Sequence, residues 1–491
     1  SSRRRHTRCN RWSRGLGDVY KRQVHAGAIS ALVVLIAWAS VATPLSALAA
    51  TAPVADEYAA QPDSLERIEV PKNGWLAAGE AAGLNVLIWS FNRFVREGGT
   101  NPGFRIGFDS WQENINNGFE WDDNSFSTNQ WAHPYHGNLY FNAARSNGFG
   151  YWGSLPFAFG GSFMWEYFME NHHPAYNDWI ATSIGGAAIG ESTHRLSALI
   201  WDNTARGSGR TWREIGGFLV NPMGGLNRLI FGQTNKIYAN PEEKYPMALR
   251  SNVEFGARTI GEEKLTNADT TRAYFRADFT YGNPFEGDIE KPFETFDFGV
   301  QVNFGDKTAL AHAQIKGLLM AGVLKDDENS KHLLGMFQHF DYVNNNAYEL
   351  GGQSVSATYL GWMGTEKSAF VTHFHANAVI LGGTKSDYED FTGRSYSYGP
   401  GTGFKLRLGW HRNGRPFLTF GHSSHWLFIV NGDAATHYVA YTNLRLDARL
   451  HNTFGLGAEA AVYHAERHYR DFEDVSQVNP ELRLFANWIA F

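Results

Sequence analysis

The chain has 491 residues, 43% of them hydrophobic and 15% aromatic, with a formal net charge of −6 and a pI near 6.3. That composition is too apolar and too aromatic for a disordered protein. The mildly acidic balance gives no electrostatic footing for a nucleic-acid partner.

Residues 1–23 are basic and have no structural period, and they read as extraneous sequence. They carry the only cysteine, Cys9, so the remainder has neither thiol chemistry nor a disulfide. Residues 28–41 (AISALVVLIAWASV) form an apolar run of signal-peptide length, and Ala47-Leu48-Ala49 supplies a cleavage pattern of small residues. A secretory signal over 24–49 is therefore expected. The run falls short of the roughly 20 residues that a spanning helix needs. Residues 50–73 are polar with scattered proline and read as a linker.

Residues 74–235 follow a helical period. Helices are predicted over 74–97, 134–147, 151–171 and 178–203, with shorter pieces over 211–220 and 224–231. Pro134 suits a first helical turn, Pro156 is expected to cap or kink the third helix, and Asn177 or Asp178 to cap the fourth. Gly186 and Gly190, four apart, read as a place where another helix comes close.

From about Met247 the period changes to two, and residues 246–491 read as a barrel. Phe296, Phe298, Val300 and Val302 alternate with Asp297, Gly299, Gln301 and Asn303. Phe404, Leu406, Leu408 and Trp410 alternate with Lys405, Arg407, Gly409 and His411. Such segments of about 10 residues are the signature of a transmembrane β-barrel. Between turn signals they give about 12 strands, centred near 252, 277, 300, 316, 337, 356, 374, 406, 418, 442, 459 and 485. Asn413-Gly414 and Asn431-Gly432-Asp433 are hairpin turns. Residues 325–331, 384–394 and 466–476 are charged and read as longer loops. Charges of both signs on the polar face, such as Arg445, Asp447 and Arg449, favour a wet or internally paired lumen with the apolar face toward lipid. Phe491, Ile489 and Phe485 alternate back from the end as an outer-membrane barrel strand does, and Asn487 interrupts them.

The helical region holds an unusual density of polar groups among aromatics. His133 and His136 lie in WAHPYHGN, and Asn138, Asn142 and Arg145 follow on one helix face. Ser162, Glu166 and Glu170 form a second line, and His172, His173, Asp178, Glu191, His194 and Arg195 complete the set. A carboxylate on an apolar helix is costly to bury unpaired, so Glu166 is expected to meet Arg145 or His136. That pairing reads either as a structural ion-pair network or as an acid–base pair at His136 and Glu166. Zinc held by His133, His136 and Glu166 is a further option; the metal is otherwise left open and no cofactor is expected. In the barrel, His422 and Ser424 point to one side of a strand, similar to the His–Ser dyad of outer-membrane lipid A deacylases. Ordinary polar residues near a strand end are the competing reading.

The helical region resembles the bacterial family catalogued as domain of unknown function 3943. The resemblance rests on Thr128-Asn129-Gln130-Trp131-Ala132-His133-Pro134 with Gly137, on Ala144-Arg145-Ser146, and on Gly161-Ser162 with Trp165-Glu166-Tyr167. Asn177-Asp178 and Gly185-Gly186 to Gly190-Glu191 extend it. It implies a Gram-negative envelope protein and supplies no activity or catalytic residue. The sequence thus predicts an α+β protein: a helical domain, then an antiparallel transmembrane barrel of about 12 strands in the outer membrane. The helices are expected to plug the barrel or line its periplasmic side. Outer-membrane lipids and the barrel-insertion machinery are the expected partners, with a lipid-active hydrolase or acyl-transfer enzyme as the alternative function.

Overall fold

A computed structural model describes residues 61–490, apart from 63, 268–270, 288, 307, 346 and 389–392. The extraneous segment, the secretory signal, most of the linker and Phe491 lie outside the described residues.

The first helix, α1 (Gly74–Ser90), starts where the Asn73 side chain accepts the Leu76 N–H at 3.0 Å. Helix α2 (Phe108–Asn117) was not expected: FDSWQENINN is polar and too short to show a period. It is held from outside, by Asn114 Nδ2 to the carbonyls of Tyr167 and Glu170 and by Trp111 Nε1 to that of Phe168. A π-helical turn (Thr128–Ala132) leads into α3 (His133–Ser146), with Pro134 in its first turn as predicted. Pro156 neither caps nor ends α4 (Tyr151–Phe168); it lies inside the helix, in the second turn, at the loss of the one backbone bond it would donate to Trp152. Helix α5 (Tyr176–Ile180), a further π-helical turn (Ala181–Gly185) and α6 (Gly186–Ile200) follow without a break. Asn177 is not a cap; its side chain bonds elsewhere, as described below. The domain ends with α7 (Gly207–Val220) and α8 (Pro222–Ile230).

Helices α3 and α6 touch backbone to backbone. A Cβ at Gly137 would lie 1.8 Å from the Thr182 carbonyl oxygen, and one at Gly186 would lie 2.5 Å from the Gly137 carbonyl carbon. A Cβ at Gly190 would lie 2.6 Å from the Phe141 ring, so Gly186 and Gly190 are both packing positions, as the sequence indicated.

The twelve strands are β1 (Leu249–Ile260), β2 (Thr271–Tyr281), β3 (Phe296–Asn303), β4 (Leu310–Asp327), β5 (Ser330–Asn344), β6 (Glu349–Thr365), β7 (Ser368–Lys385), β8 (Tyr396–Arg412), β9 (Arg415–Phe428), β10 (Ala435–Arg449), β11 (Phe454–Tyr469) and β12 (Val475–Ala490). They close into one antiparallel barrel, β12 pairing with β1, and every predicted centre falls within a strand. Asn413 and Gly414 have φ of 50° and 70°, the two positive values that a type I′ hairpin requires. The charged stretch 325–331 is no long loop: β4 and β5 run through it to a two-residue turn.

Contacts between distant strands identify the inside. Lys405 on β8 reaches Asp341 on β5 at 2.6 Å, and Arg445 on β10 pairs with Glu254 on β1. Those strands are not neighbours, so the pairs cross the lumen. The opposite face carries exposed Leu444, Leu446, Leu456, Leu482, Leu484 and Trp488, as a lipid-facing wall should. Strand β12 corrects one expectation. Ile489 pairs with Asn252 on the lumen face, and Phe485 lies under the Arg445 guanidinium at 4.4 Å. Asn487 donates to Asp447 there at 2.9 Å. The lipid-facing series of this strand is thus the other one, through Leu482, Leu484 and Trp488.

The helices dock on the outside of the barrel. One register row, Phe279↔Phe298↔Ile315↔Phe340 across β2 to β5, forms the centre of the contact. Trp131 packs on Phe340 and Tyr342, Tyr151 donates to Gln338, and Gln338 Nε2 donates to the Ile184 carbonyl at 2.8 Å. Gly351 leaves room for Gln130, whose Oε1 would be 2.2 Å from a Cβ there. The plug expectation is therefore corrected: an apolar helical surface matches the aromatic outer wall, whereas the lumen is crossed by ion pairs.

Replacing Gly137 with Val forces α3 off α6 and should cost about 1–3 kcal/mol or more. We expect early loss of helical signal on heating, with the folded barrel still showing its heat-dependent electrophoretic shift. Unchanged melting would contradict this packing.

Candidate metal centre

Three of the polar residues singled out from the sequence meet at one point. His133 opens α3 directly after the π-helical turn Thr128–Ala132. Glu166 comes from the last turn of α4, and Asp178 from α5, just before the π-helical turn Ala181–Gly185. One ligand atom from each lies within 4.8 Å of the others. Local bonds aim these atoms. Glu166 Oε2 accepts the Ala175 N–H at 2.9 Å, which leaves Oε1 buried with no hydrogen-bond partner. Asn177 Nδ2 donates to Asp178 Oδ1 at 2.7 Å, which leaves Oδ2 facing His133 Nε2 at 3.5 Å. Irregular helical turns of this kind often sit at functional sites, because they re-aim the side chains around them.

No lysine or arginine among the described residues pairs with Glu166 or Asp178. Burial raises both carboxyls well above the usual carboxylate range, and nearby acids, Glu170 for the first and Asp122 for the second, add to it. Burial and Asp122 push Glu170 up to about 8. Burial lowers His133, with Asp122 acting in the opposite direction. The site is therefore an acid-rich pocket with one imidazole and a deficit of positive charge.

His136 is not the partner of Glu166. Its Nε2 is committed to the Tyr140 hydroxyl at 2.9 Å, and Tyr140 in turn donates to Asn85. Burial, followed by the neighbouring His133, brings His136 down to about 3, so it is neutral. Arg145 is also elsewhere, 2.8 Å from Glu191, which pairs with Arg195 at 3.0 Å as well. Burial opposes ionisation of Glu191, and the two guanidiniums outweigh it and hold the group below its ordinary value. Arg195 then donates to the Pro292 carbonyl at 2.9 Å, so this second network ties the helices to the barrel. Asn138 belongs to a third, with Asn142 and Thr193, and Ser162 is buried with its hydroxyl unpartnered.

The residues around the centre also bind it to the barrel. Asn177 Nδ2 reaches the Tyr398 hydroxyl at 3.2 Å, and Asn129 Nδ2 bridges Asp122 and the Tyr396 hydroxyl, each at 2.9 Å. Asp122, Asn129 and the two tyrosines were not foreseen as partners of the site: Asn129 entered only through the family resemblance, and nothing in the local sequence of the other three marks them. His422 and Ser424 do not form a dyad. His422 Nδ1 bonds the Thr442 hydroxyl at 2.8 Å, and the Ser424 hydroxyl is buried without a partner.

Residues 118–223, the segment that holds this centre, match the family described as Domain of unknown function (DUF3943), which bears out the resemblance seen in the sequence. No curated protein matches the chain. Among solved structures, the NanC porin is 14% identical in an alignment covering 50% of this chain and 99% of the porin, with a TM-score of 0.26. The outer membrane channel DcaP of Acinetobacter baumannii is 11% identical, covering 49% of this chain and 96% of the channel, with a TM-score of 0.19. OpdQ of Pseudomonas aeruginosa is 8% identical, covering 49% and 97%, also at 0.19.

Glu170 has a raised folded-state value, so its contribution to stability is complete below its ordinary value of 4.5 and is lost as pH rises toward 8. In metal-free protein, Glu170→Gln should raise the melting temperature of the helical domain at pH 8 by a few degrees and leave it nearly unchanged at pH 4.5. Equal shifts at both pH values would contradict the assignment.

Proposed function

We propose that this protein is an outer-membrane β-barrel that carries, against its outer wall, a helical domain holding one divalent metal ion at His133, Glu166 and Asp178. The observation that carries the reading is the convergence of three aimed ligand atoms, one of them a buried carboxylate oxygen with no partner. A divalent cation supplies the missing positive charge, and one imidazole with two carboxylates is a donor set that zinc and similar first-row ions accept. Asn177 would then act behind the ligands by fixing the Asp178 carboxylate.

Membrane placement is supported by the closed sheet, by its apolar exterior and by the short turns after β4, β6 and β8 on one end. The helical domain exposes Trp75, Phe91, Phe94, Trp152 and Phe163, which suits contact with outer-membrane lipid. That apolar surface favours a second reading, in which the centre serves a lipid-directed hydrolase. Lipid profiles that differ between cells carrying the wild type and cells carrying Glu166→Gln would support it, and identical profiles would remove it.

Full-length protein in detergent, titrated with Zn²⁺ or Mn²⁺ by calorimetry, should bind one ion per chain. Affinity should increase from pH 6 to pH 8, because the carboxyls must lose protons to bind. Glu166→Gln and Asp178→Asn should each weaken binding at least tenfold, and His422→Ala should leave it unchanged. Absence of stoichiometric binding, or equal binding by all variants, would overturn the proposal.

A further inference from the structure

The barrel's interior arginines are paired with carboxylates almost throughout. Arg276 meets Asp278 at 2.8 Å, Arg445 meets Asp447 at 2.7 Å, and Arg483 meets Glu459 at 2.8 Å and Glu481 at 2.7 Å. Arg258 meets Asp306 at 2.8 Å, and Arg467 meets Asp387 at 2.9 Å. Two arginines break the pattern. Arg250 on β1 has only the Thr280 hydroxyl, at 3.3 Å, and Arg407 on β8 has no ion pair or hydrogen bond with the described residues. Asp297 attracts both from beyond ion-pair distance, so neither guanidinium is bonded to a carboxylate and each keeps donors open to a ligand.

Both exceptions line open space. A cavity of about 730 Å³ opens at the barrel end that holds the β4–β5, β6–β7 and β8–β9 turns, and a second of about 270 Å³ lies deeper in the lumen. Arg250, Arg407 and Thr280 line both, so they stand where the outer cavity meets the inner one. His373 and His411 line the outer cavity beside them, and Lys316 and Asp297 face each other just below. The acidic groups of the outer cavity, Glu286, Glu328 and Glu366, lie on the surface turns and loop instead of at its base. Trp362, Ala369 and Val371 give the same cavity an apolar side wall.

We infer that this vestibule binds an amphipathic organic carboxylate, with its anionic head between Arg250 and Arg407 and its hydrocarbon body along Trp362 and Val371. The size of the cavity is that of a small-molecule pocket, and its lining has the usual form of apolar walls with a few convergent polar groups. Two guanidiniums present fixed forks of donors, which match a carboxylate better than a point charge would. The site is separate from the His133 centre and does not depend on a metal there.

The test is calorimetric titration of the full-length protein in lipid nanodiscs with octanoate, octanol and acetate, each corrected for empty nanodiscs. Octanoate should bind at one site per chain, at least tenfold more tightly than octanol or acetate. Arg250→Gln and Arg407→Gln should each weaken octanoate at least tenfold, while Arg412→Gln, an exposed arginine outside the cavity, should bind like the wild type. Retention of heat-dependent electrophoretic mobility shows that each variant is folded. Equal binding of octanoate and octanol by the wild type would overturn the inference. So would undiminished octanoate binding by folded Arg250→Gln and Arg407→Gln proteins.

Discussion

The apolar row on the outer wall, Phe279, Phe298, Ile315 and Phe340, is the contact on which the rest of the structure depends. A barrel strand has one face for lipid and one for the lumen. Here part of the lipid face is taken over by helices, and the lumen is left to ion pairs such as Lys405–Asp341 and Arg445–Glu254. The trade is physically sensible. Aromatic and aliphatic surface on the helices gains little from a charged lumen and much from a flat apolar wall. Glycines at the contact, Gly351 and Gly383 among them, bring the wall close enough for Gln130 to lie against it.

That docking also shapes the candidate centre. Helices α3 and α6 meet through Gly137 and Gly186, and the two π-helical turns flank the crossing. His133, just after one turn, and Asp178, just before the other, face Glu166, while Asn129 and Asn177 tie the same region to Tyr396 and Tyr398 of the barrel. The three candidate ligands are thus positioned by both parts of the chain. The neighbouring Arg145–Glu191–Arg195 network is the contrast: its acid is matched by two guanidiniums, and it serves as a structural clamp.

Much of this was legible in the sequence, for reasons that can be named. Strict alternation over long segments located every strand, and Asn413-Gly414 announced its turn through two residues that tolerate positive φ. The helix-facing wall could not be told from the lipid-facing wall, since Phe298 facing lipid and Phe298 facing a helix read alike. Phe485 was read only as part of an apolar alternation, and its place in a charged lumen, stacked under Arg445, follows no simple hydropathy rule. His133, Glu166 and Asp178 each stood out as polar groups on apolar helices. Their meeting depends on how α4 crosses α5, which local pattern does not encode, and so Arg145 and His136 were the natural but mistaken partners for Glu166.

Adjacent glycines on β6 give the most direct test of the central claim. Gly351 is on the outer face, beside Gln130, and Gly352 pairs with Asp341 on the lumen face. Oxidative cross-linking in native membranes should join the Gln130→Cys/Gly351→Cys pair in high yield and leave the Gln130→Cys/Gly352→Cys pair unjoined. Cross-linking of the second pair and not the first would place the helices inside the barrel and contradict the account.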